Sequence, residues 1–255
     1  MSGLPPVRGV RAAFVFLTRI PVGGFPFTPA DWRWSAAHFP FVGAVLGAVL
    51  AVVFRALHPL GSLAAATMMI GVSLLLTGAF HEDGLADTSD ALGGAYDRAR
   101  IHEILKDSRV GAFGAAALVI SIVGRVVLIA RIDHDAAWAL PLVGCAARVG
   151  PTWLMVALPY ATRPDAARSR DVVGARWPQA LVATTWFVIL AAALAGARLV
   201  TPARLAAIVA ALAAVTLITA WRYARRLGGI TGDFLGATEQ LCELAGFAAI
   251  AWEIA

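Results

Sequence analysis

The sequence has little charge. Only 15% of its 255 residues are Asp, Glu, Lys or Arg, whereas 60% are hydrophobic and the mean hydropathy is +0.76. Soluble globular chains have about 25% charged and about 45–50% apolar residues. The composition therefore excludes an ordinary soluble domain. We predict one integral membrane domain over residues 1–255.

Cysteine and lysine are also scarce. The two cysteines, Cys145 and Cys242, lie inside apolar stretches. We interpret them as packing residues rather than as a disulfide or a metal-binding pair. Lys106 is the only lysine among 21 basic residues. The N-terminus lacks the basic start, apolar block and cleavage site of a signal peptide, so we expect it to be retained.

Seven apolar stretches are close to the ~20 residues that cross a hydrocarbon core. They are 37–57, 62–80, 112–130, 137–158, 180–197, 203–221 and 236–252. The predicted fold is an all-α, polytopic membrane bundle of about seven transmembrane helices, with short interfacial helices such as residues 8–20. Gly43 with Gly47, and Gly111 with Ala115, have the four-residue spacing of small residues that lets helices approach closely.

Arginine is unevenly distributed over the connecting segments. The N-terminal segment and the loops near 95–110, 160–178 and 222–235 carry most of it. This asymmetry predicts that the N-terminus and these loops lie in the cytoplasm and that the number of spans is odd. It favours roles in topology and in binding anionic groups over nucleic-acid binding. Arg163, Arg168 and Arg170 fit either a bed for polyanions or the topology signal.

The segment Phe80 to Gly94, FHEDGLADTSDALGG, concentrates acidic residues in an otherwise apolar chain. In a helix, Asp83, Asp87 and Asp90 would stand at i, i+4 and i+7 and project from one face. Three neighbouring carboxylates repel one another, so we expect a bound cation. Oxygen ligands without His or Cys at matching spacing favour Mg²⁺ or Mn²⁺ over zinc. The alternative is a solvated acidic face.

A second polar stretch, KDSRVGAFG, runs from Lys106 to Gly114. Arg109 could fork onto a phosphate while the backbone N–H groups that open the next helix add donors. Alternatively, Asp107 or Ser108 caps that helix and the glycines serve packing.

The third stretch, GGITGDFLGATEQLCEL, runs from Gly228 to Leu244. Asp233 follows Thr-Gly and can cap the last helix. Glu239 and Glu243 are one turn apart inside a predicted span, where carboxylates are costly. They either act in the site or pair with Arg125 or Arg148. Carboxylates for a divalent cation, with arginines and glycines for phosphates, together indicate phosphoryl transfer.

These motifs resemble those of the cobalamin synthase family, the adenosylcobinamide-GDP ribazoletransferases. The matching segments are FLTRIPV (Phe16 to Val22), FHEDGLADTSDALGG, ILKDSRVGAFG (Ile104 to Gly114) and GGITGDFLGATEQLCEL. They span the chain, with a weak match over 160–200, and Ala91 stands where the family often has glycine. The resemblance implies a Mg²⁺-dependent inner-membrane enzyme at the last step of cobalamin nucleotide-loop assembly. It would join α-ribazole, or its 5′-phosphate, to adenosylcobinamide-GDP and release GMP.

With this resemblance, the site residues take provisional roles. The expected metal ligands are Glu82, Asp83, Asp87, Asp90 and Asp233. The expected phosphate or substrate contacts are Lys106, Arg109, Arg148, Thr231 and Gly232. The expected catalytic groups are Asp90, Asp107 and His81; one of the two aspartates would be the general base, and His81 could bind the metal or carry a proton.

Two other classes stay open on the sequence. A CDP-alcohol phosphotransferase or aromatic prenyltransferase also binds Mg²⁺–diphosphate through spaced aspartates. The former typically has a DG–AR pattern, whereas Asp83-Gly84 is followed here by Ala86-Asp87. A cation-coupled transporter would place acids near the midplane of several spans. Most acids here fall at predicted cytoplasmic ends, and an oligomer is compatible with either class.

Overall fold

The computed structural model describes residues 4–161 and 174–253, and this part of the chain is built of helices. They are α1 (Pro5–Leu17), α2 (Pro29–Ser35), α3 (Phe39–Leu57), α4 (Ser62–Thr77), α5 (Phe80–Gly94), α6 (Arg98–Ile104), α7 (Ala112–Ile132), α8 (Ala136–Ala146), α9 (Val149–Ala157), α10 (Trp177–Gly196), α11 (Pro202–Arg226) and α12 (Gly232–Glu253). An isolated bridge joins Tyr160 to Ile230, and no strand occurs within the described ranges. The all-α prediction is confirmed. Arg163, Arg168 and Arg170 lie outside the described residues.

Four helical stretches are long and apolar enough to cross a membrane. They are Pro29–Leu60, Ala112–Ala157, Trp177–Gly196 and Pro202–Arg226. The bent pair α4 and α5 makes a fifth if it counts as one span. The protein is therefore a multi-pass membrane protein, as predicted, but the count of about seven spans is not reproduced. The 46-residue stretch Ala112–Ala157 contains two of the predicted spans, and α12 carries Glu239 and Glu243 in its middle.

Glycine lets α3 and α8 approach backbone to backbone. A Cβ added at Gly144 would lie 2.6 Å from the carbonyl oxygen of Gly43, and one at Gly47 would collide with the carbonyl of Leu140. Larger side chains would force these helices apart. The close approach predicted for Gly43 and Gly47 is confirmed. Gly111 instead approaches Asp90, whose Oδ1 would lie 2.5 Å from an added Cβ.

The chain turns by 91° between α4 and α5. Gly78 and Ala79 both adopt left-handed conformations, with φ of 70° and 57°. For alanine this conformation costs about 1 kcal/mol or more. The N–H of Arg19 donates to the carbonyl of Leu76 at 2.7 Å and so satisfies one carbonyl at the end of α4. This turn brings the start of the acidic helix against the first turns of α12, at Asp233 and Gly236.

A second break separates α8 from α9. Arg148 lies at the break, with φ of −91° and ψ of −7°. Its Nη1 donates to the carbonyl of Gly144 at 2.6 Å. The interruption explains how one arginine side chain turns into the interior between α5 and α12.

Candidate active site

The two acid-bearing helices, α5 and α12, cross on glycine. A Cβ at Gly84 would lie 2.8 Å from the carbonyl oxygen of Asp233, and one at Gly236 would lie 3.4 Å from Cα of His81. No larger residue allows so close a backbone approach at Gly84. The crossing brings together the acidic motif Phe80 to Gly94 and the last motif, which are far apart in the sequence.

A cavity of about 420 Å³ opens beside this crossing. Its polar side is formed by His81, Asp83, Arg148, Asp233 and Glu239. Its apolar side is formed by Phe16, Leu17, Phe39, Phe80, Pro151, Met155 and Leu235, with Gly232 and Gly236 between the two sides. Of the predicted site residues, His81, Asp83, Arg148, Gly232 and Asp233 therefore meet at one cavity.

The other two aspartates of α5 lie further along the helix. Asp87 is partly buried, and its carboxylate is under the electrostatic influence of Asp83, Asp90 and Asp233. Asp90 instead faces the start of α7. Its Oδ2 accepts the N–H of Gly111 at 2.7 Å and its Oδ1 that of Gly114 at 2.9 Å. The structure thus gives Asp90 a helix-capping role, and its roles as metal ligand and base stay predictions.

Glu82 turns away from these aspartates into a buried ion-pair network. Its Oε1 accepts from Nη2 of Arg125 at 2.9 Å, and both side chains are nearly inaccessible. Nη1 of the same arginine lies 3.1 Å from Oε2 of Glu243. Glu82 therefore holds α5 against α7 and α12, and a direct metal contact through it would compete with Arg125.

Arg148 completes the network from the break between α8 and α9. Its Nη2 lies 2.8 Å from Oε1 of Glu239, and its Nη1 lies 3.4 Å from Oε1 of Glu243. The pairing of Glu239 and Glu243 with intramembrane arginines, one of the two alternatives from the sequence, is what the structure shows. Arg148 also lines the cavity. A phosphate that binds its guanidinium would therefore bind the same group as Glu239 and Glu243.

His81 connects the network to the cavity. It is 5% exposed, and its Nδ1 lies 3.7 Å from Oε2 of Glu239. That same glutamate oxygen accepts Nε2 of Gln240 at 3.0 Å, and Ser121 donates to Gln240 at 3.3 Å. An imidazole held beside a carboxylate can accept a proton at its other nitrogen.

The loop that carries Lys106, Asp107 and Arg109 does not line the cavity. Arg109 is turned onto Asp107, with Nη2 2.6 Å from Oδ2 and Nε 2.9 Å from Oδ1. These hydrogen bonds lower the pKa of Asp107 to about 2. Both groups and Lys106 stand at the surface. A carboxyl with so low a pKa is a weak base, which disfavours Asp107 as the proton acceptor.

Thr231 starts α12 rather than facing the cavity. Its Oγ1 accepts the N–H of Phe234 at 3.2 Å, an N-cap bond, and the residue is 3% exposed. Gly232 follows and does line the cavity. The cap fixes where α12 begins, and so fixes the position of Asp233.

Two features were missed by sequence reasoning. The pairing of Glu82 with Arg125 joins residues 43 apart, and no local pattern signals it. The apolar wall was also missed, although its Phe16 and Leu17 belong to the FLTRIPV motif that supports the family resemblance. The motif could have indicated this wall, because apolar side chains within a basic segment are expected to pack against another apolar surface.

Within residues 4–161 and 174–253, no three His, Cys, Asp or Glu side chains are arranged to hold a metal ion. Asp83, Asp87 and Asp233 are nevertheless close enough to repel one another electrostatically. The fold and the site together define a helical membrane protein with an acidic cavity built between a broken span and its last helix.

The family model for cobalamin-5-phosphate synthase matches residues 9–251 of this chain. The chain belongs to this family, and it is a membrane transferase of cobalamin biosynthesis. The sequence-based resemblance is confirmed. Membership also excludes the alternatives of a CDP-alcohol phosphotransferase, a prenyltransferase and a transporter.

Named relatives match along nearly the whole chain. The chain is 38% identical to the adenosylcobinamide-GDP ribazoletransferase of Polaromonas sp. strain JS666, covering 96% of each protein. It is 40% identical to that of Leptothrix cholodnii, over 92% of this chain and 91% of the relative. It is 38% identical to that of Rhizobium etli strain CIAT 652, over 94% of each. No solved structure matches the chain.

Proposed function

We propose that this protein is itself an adenosylcobinamide-GDP ribazoletransferase. It joins α-ribazole, or its 5′-phosphate, to adenosylcobinamide-GDP and releases GMP. The relatives named above support the substrates. The observation that carries the proposal is that Asp83 and Asp233, from two separate motifs, share one cavity with His81 and Arg148.

In the proposed reaction, a hydroxyl oxygen of α-ribazole attacks the phosphorus that is attached to cobinamide. The new O–P bond forms as the bond from that phosphorus to the GMP oxygen breaks. The hydroxyl proton passes to a base of the enzyme. Of the three groups predicted for catalysis, His81 lines the cavity whereas Asp90 and Asp107 do not. Position therefore favours His81 as the proton acceptor, although its burial opposes the charged imidazolium.

We also propose Mg²⁺ as the cofactor. Its ligands would be the carboxylates of Asp83 and Asp233, with Asp87 beside them. All three offer oxygen, and their mutual repulsion is relieved by a cation. Magnesium is commonly held by one or two carboxylates together with substrate phosphates and water, so a preformed set of three ligands is not required. Bound there, the ion would neutralise the diphosphate of the substrate.

Substitution of the aspartates tests the proposal. We expect Asp83→Asn and Asp87→Asn to lower the rate of GMP release at least about 10- to 100-fold at low Mg²⁺, with partial recovery at high Mg²⁺. The assay uses purified protein in lipid with adenosylcobinamide-GDP and α-ribazole. Asp97→Asn is the control, because Asp97 is an exposed N-cap residue of α6 and asparagine caps equally well. Near-normal rates of both variants at low Mg²⁺ contradict the metal site.

We further propose that the protein lies in the inner membrane with the cavity open to the cytoplasm. The arginine-rich loops support this orientation. Ser108 is exposed on one of these loops, and both native cysteines are buried. In a Ser108→Cys variant, a membrane-impermeant maleimide should label inverted vesicles and not intact spheroplasts. The reverse labelling pattern contradicts the orientation.

A further inference from the structure

An aromatic wall forms one side of the cavity. The rings of Phe16 and Phe39 stack with centroids 5.6 Å apart and an interplanar angle of 8°. Phe80 meets Phe16 edge-on, at 5.3 Å and 77°. The three residues come from α1, α3 and α5, so the wall exists only in the folded protein. Aromatic rings assembled in this way offer faces and edges to another flat ring.

The opposite side of the cavity has a different chemistry. Asp83, Asp233 and His81 line it, and Nδ1 of His81 lies 3.7 Å from Oε2 of Glu239 in the buried network. Ionised carboxylates only accept hydrogen bonds. A ligand that fits both sides therefore has a flat apolar ring at one end and hydroxyl donors at the other.

The cavity also limits the size of the occupant. Its volume of about 420 Å³ is near the lower end of the roughly 300–1,000 Å³ typical of small-molecule pockets. That volume suits a nucleoside. A corrin ring with its amide side chains is far larger and would have to remain outside.

We propose that this cavity is the subsite for the nucleoside α-ribazole, with its benzimidazole ring against Phe16 and Phe80 and its ribose hydroxyls towards Asp83 and Asp233. The assignment rests on the proposed function and adds to it a location for one of the two substrates. The guanine of GDP is also a flat heterocycle. Its edge, however, carries several polar groups that an apolar wall leaves without hydrogen bonds, whereas the benzimidazole edge carries methyl groups.

Equilibrium binding of α-ribazole and of GMP to the purified protein in lipid nanodiscs tests the assignment. The variants are Phe80→Leu and Phe16→Leu, which keep an apolar side chain and remove the ring. Phe80 is 41% exposed, so its replacement should not prevent folding. Phe41→Leu is the matched control, because that ring contacts Phe14 and Trp186 and does not line the cavity.

We expect the Kd for α-ribazole to rise about tenfold in Phe80→Leu and Phe16→Leu, with the Kd for GMP unchanged and Phe41→Leu like wild type. In turnover assays, the KM for α-ribazole should rise while that for adenosylcobinamide-GDP stays constant. A rise in the Kd for GMP alone, or no change for either ligand, overturns the assignment. If both variants keep wild-type turnover and an unchanged Kd for α-ribazole, the subsite assignment is wrong while the proposed function still holds. Aromatic-dependent α-ribazole binding without any turnover would refute the proposed function instead.

Discussion

Two groups of arginine and carboxylate in this protein have similar chemistry and opposite surroundings. In the buried network, Arg125 is 1% exposed and contacts Glu82 and Glu243 at about hydrogen-bond distance. In the loop after α6, Arg109 contacts Asp107 at 2.6 Å, but the arginine side chain is 87% exposed. The distances between the arginine nitrogens and the carboxylate oxygens do not by themselves distinguish the two groups.

Burial gives them different consequences. Water screens the exposed pair, so such pairs contribute little to stability. Inside the bundle, each charge has lost its hydration and depends on its partner, so removal of one partner leaves an uncompensated buried charge. The buried network fixes α5, α7, α8 and α12 in place around the cavity. The exposed pair remains available for exchange with a substrate phosphate or with solvent.

Removal of Arg125 should have the largest effect. We expect Arg125→Met to destabilise the protein by about 3–5 kcal/mol, because Glu82 loses its partner inside the bundle and Glu243 keeps only its 3.4 Å contact with Arg148. Thermal or denaturant unfolding in detergent measures this change. Arg131→Met, on the same helix, is the control, because Arg131 is exposed and bonds only to a carbonyl in the interactions described. If the two variants unfold with equal free energy, the buried ion pairs of Arg125 contribute no more to stability than the exposed Arg131 does.

Asp90 is intermediate between the two environments. We expect Asp90→Ala to cost about 0.5–2 kcal/mol, because the N–H groups of Gly111 and Gly114 lose their acceptor. Asp97→Ala removes an exposed cap from α6 and should cost less. Unfolding of both variants under the same conditions gives the comparison. If Asp90→Ala is as stable as wild type yet inactive, Asp90 acts in catalysis rather than as a cap.

The exposed pair should show the smallest effect. The hydrogen bonds from Arg109 depress the pKa of Asp107 to about 2, so the carboxyl is fully ionised above about pH 4. Its contribution to stability is present above the unfolded-state pKa and is lost as the pH falls towards about 2. We expect Asp107→Asn to leave the pH–rate profile between about pH 5 and pH 9 unchanged. Loss of the fall in rate on the acid side of the profile, or a large fall in kcat, would instead make Asp107 the general base.

Part of the candidate site was predictable from local pattern. The four-residue spacing of Asp83 and Asp87 places them one turn apart in any helix, and the structure is helical over Phe80–Gly94. The close contact at Gly43 and Gly47 also follows from spacing. Asp90 does not join Asp83 at the cavity, although the two are seven residues apart on one face of α5. Two turns separate them along the helix, and at Asp90 a different helix packs against α5. In this fold that neighbour is the start of α7.

The sequence by itself determined the membrane environment, the helical class, the family and the acidic motif, because these depend on composition and on spacing along one chain. Only the tertiary structure decided which charges pair, that Asp233 joins Asp83 at one cavity, and that Phe16, Phe39 and Phe80 form one wall. Those residues are brought together by the turn at Gly78 and Ala79 and by the crossing of α5 and α12 at Gly84. Contacts between distant segments depend on backbone approach and burial, which residue spacing along the chain does not specify.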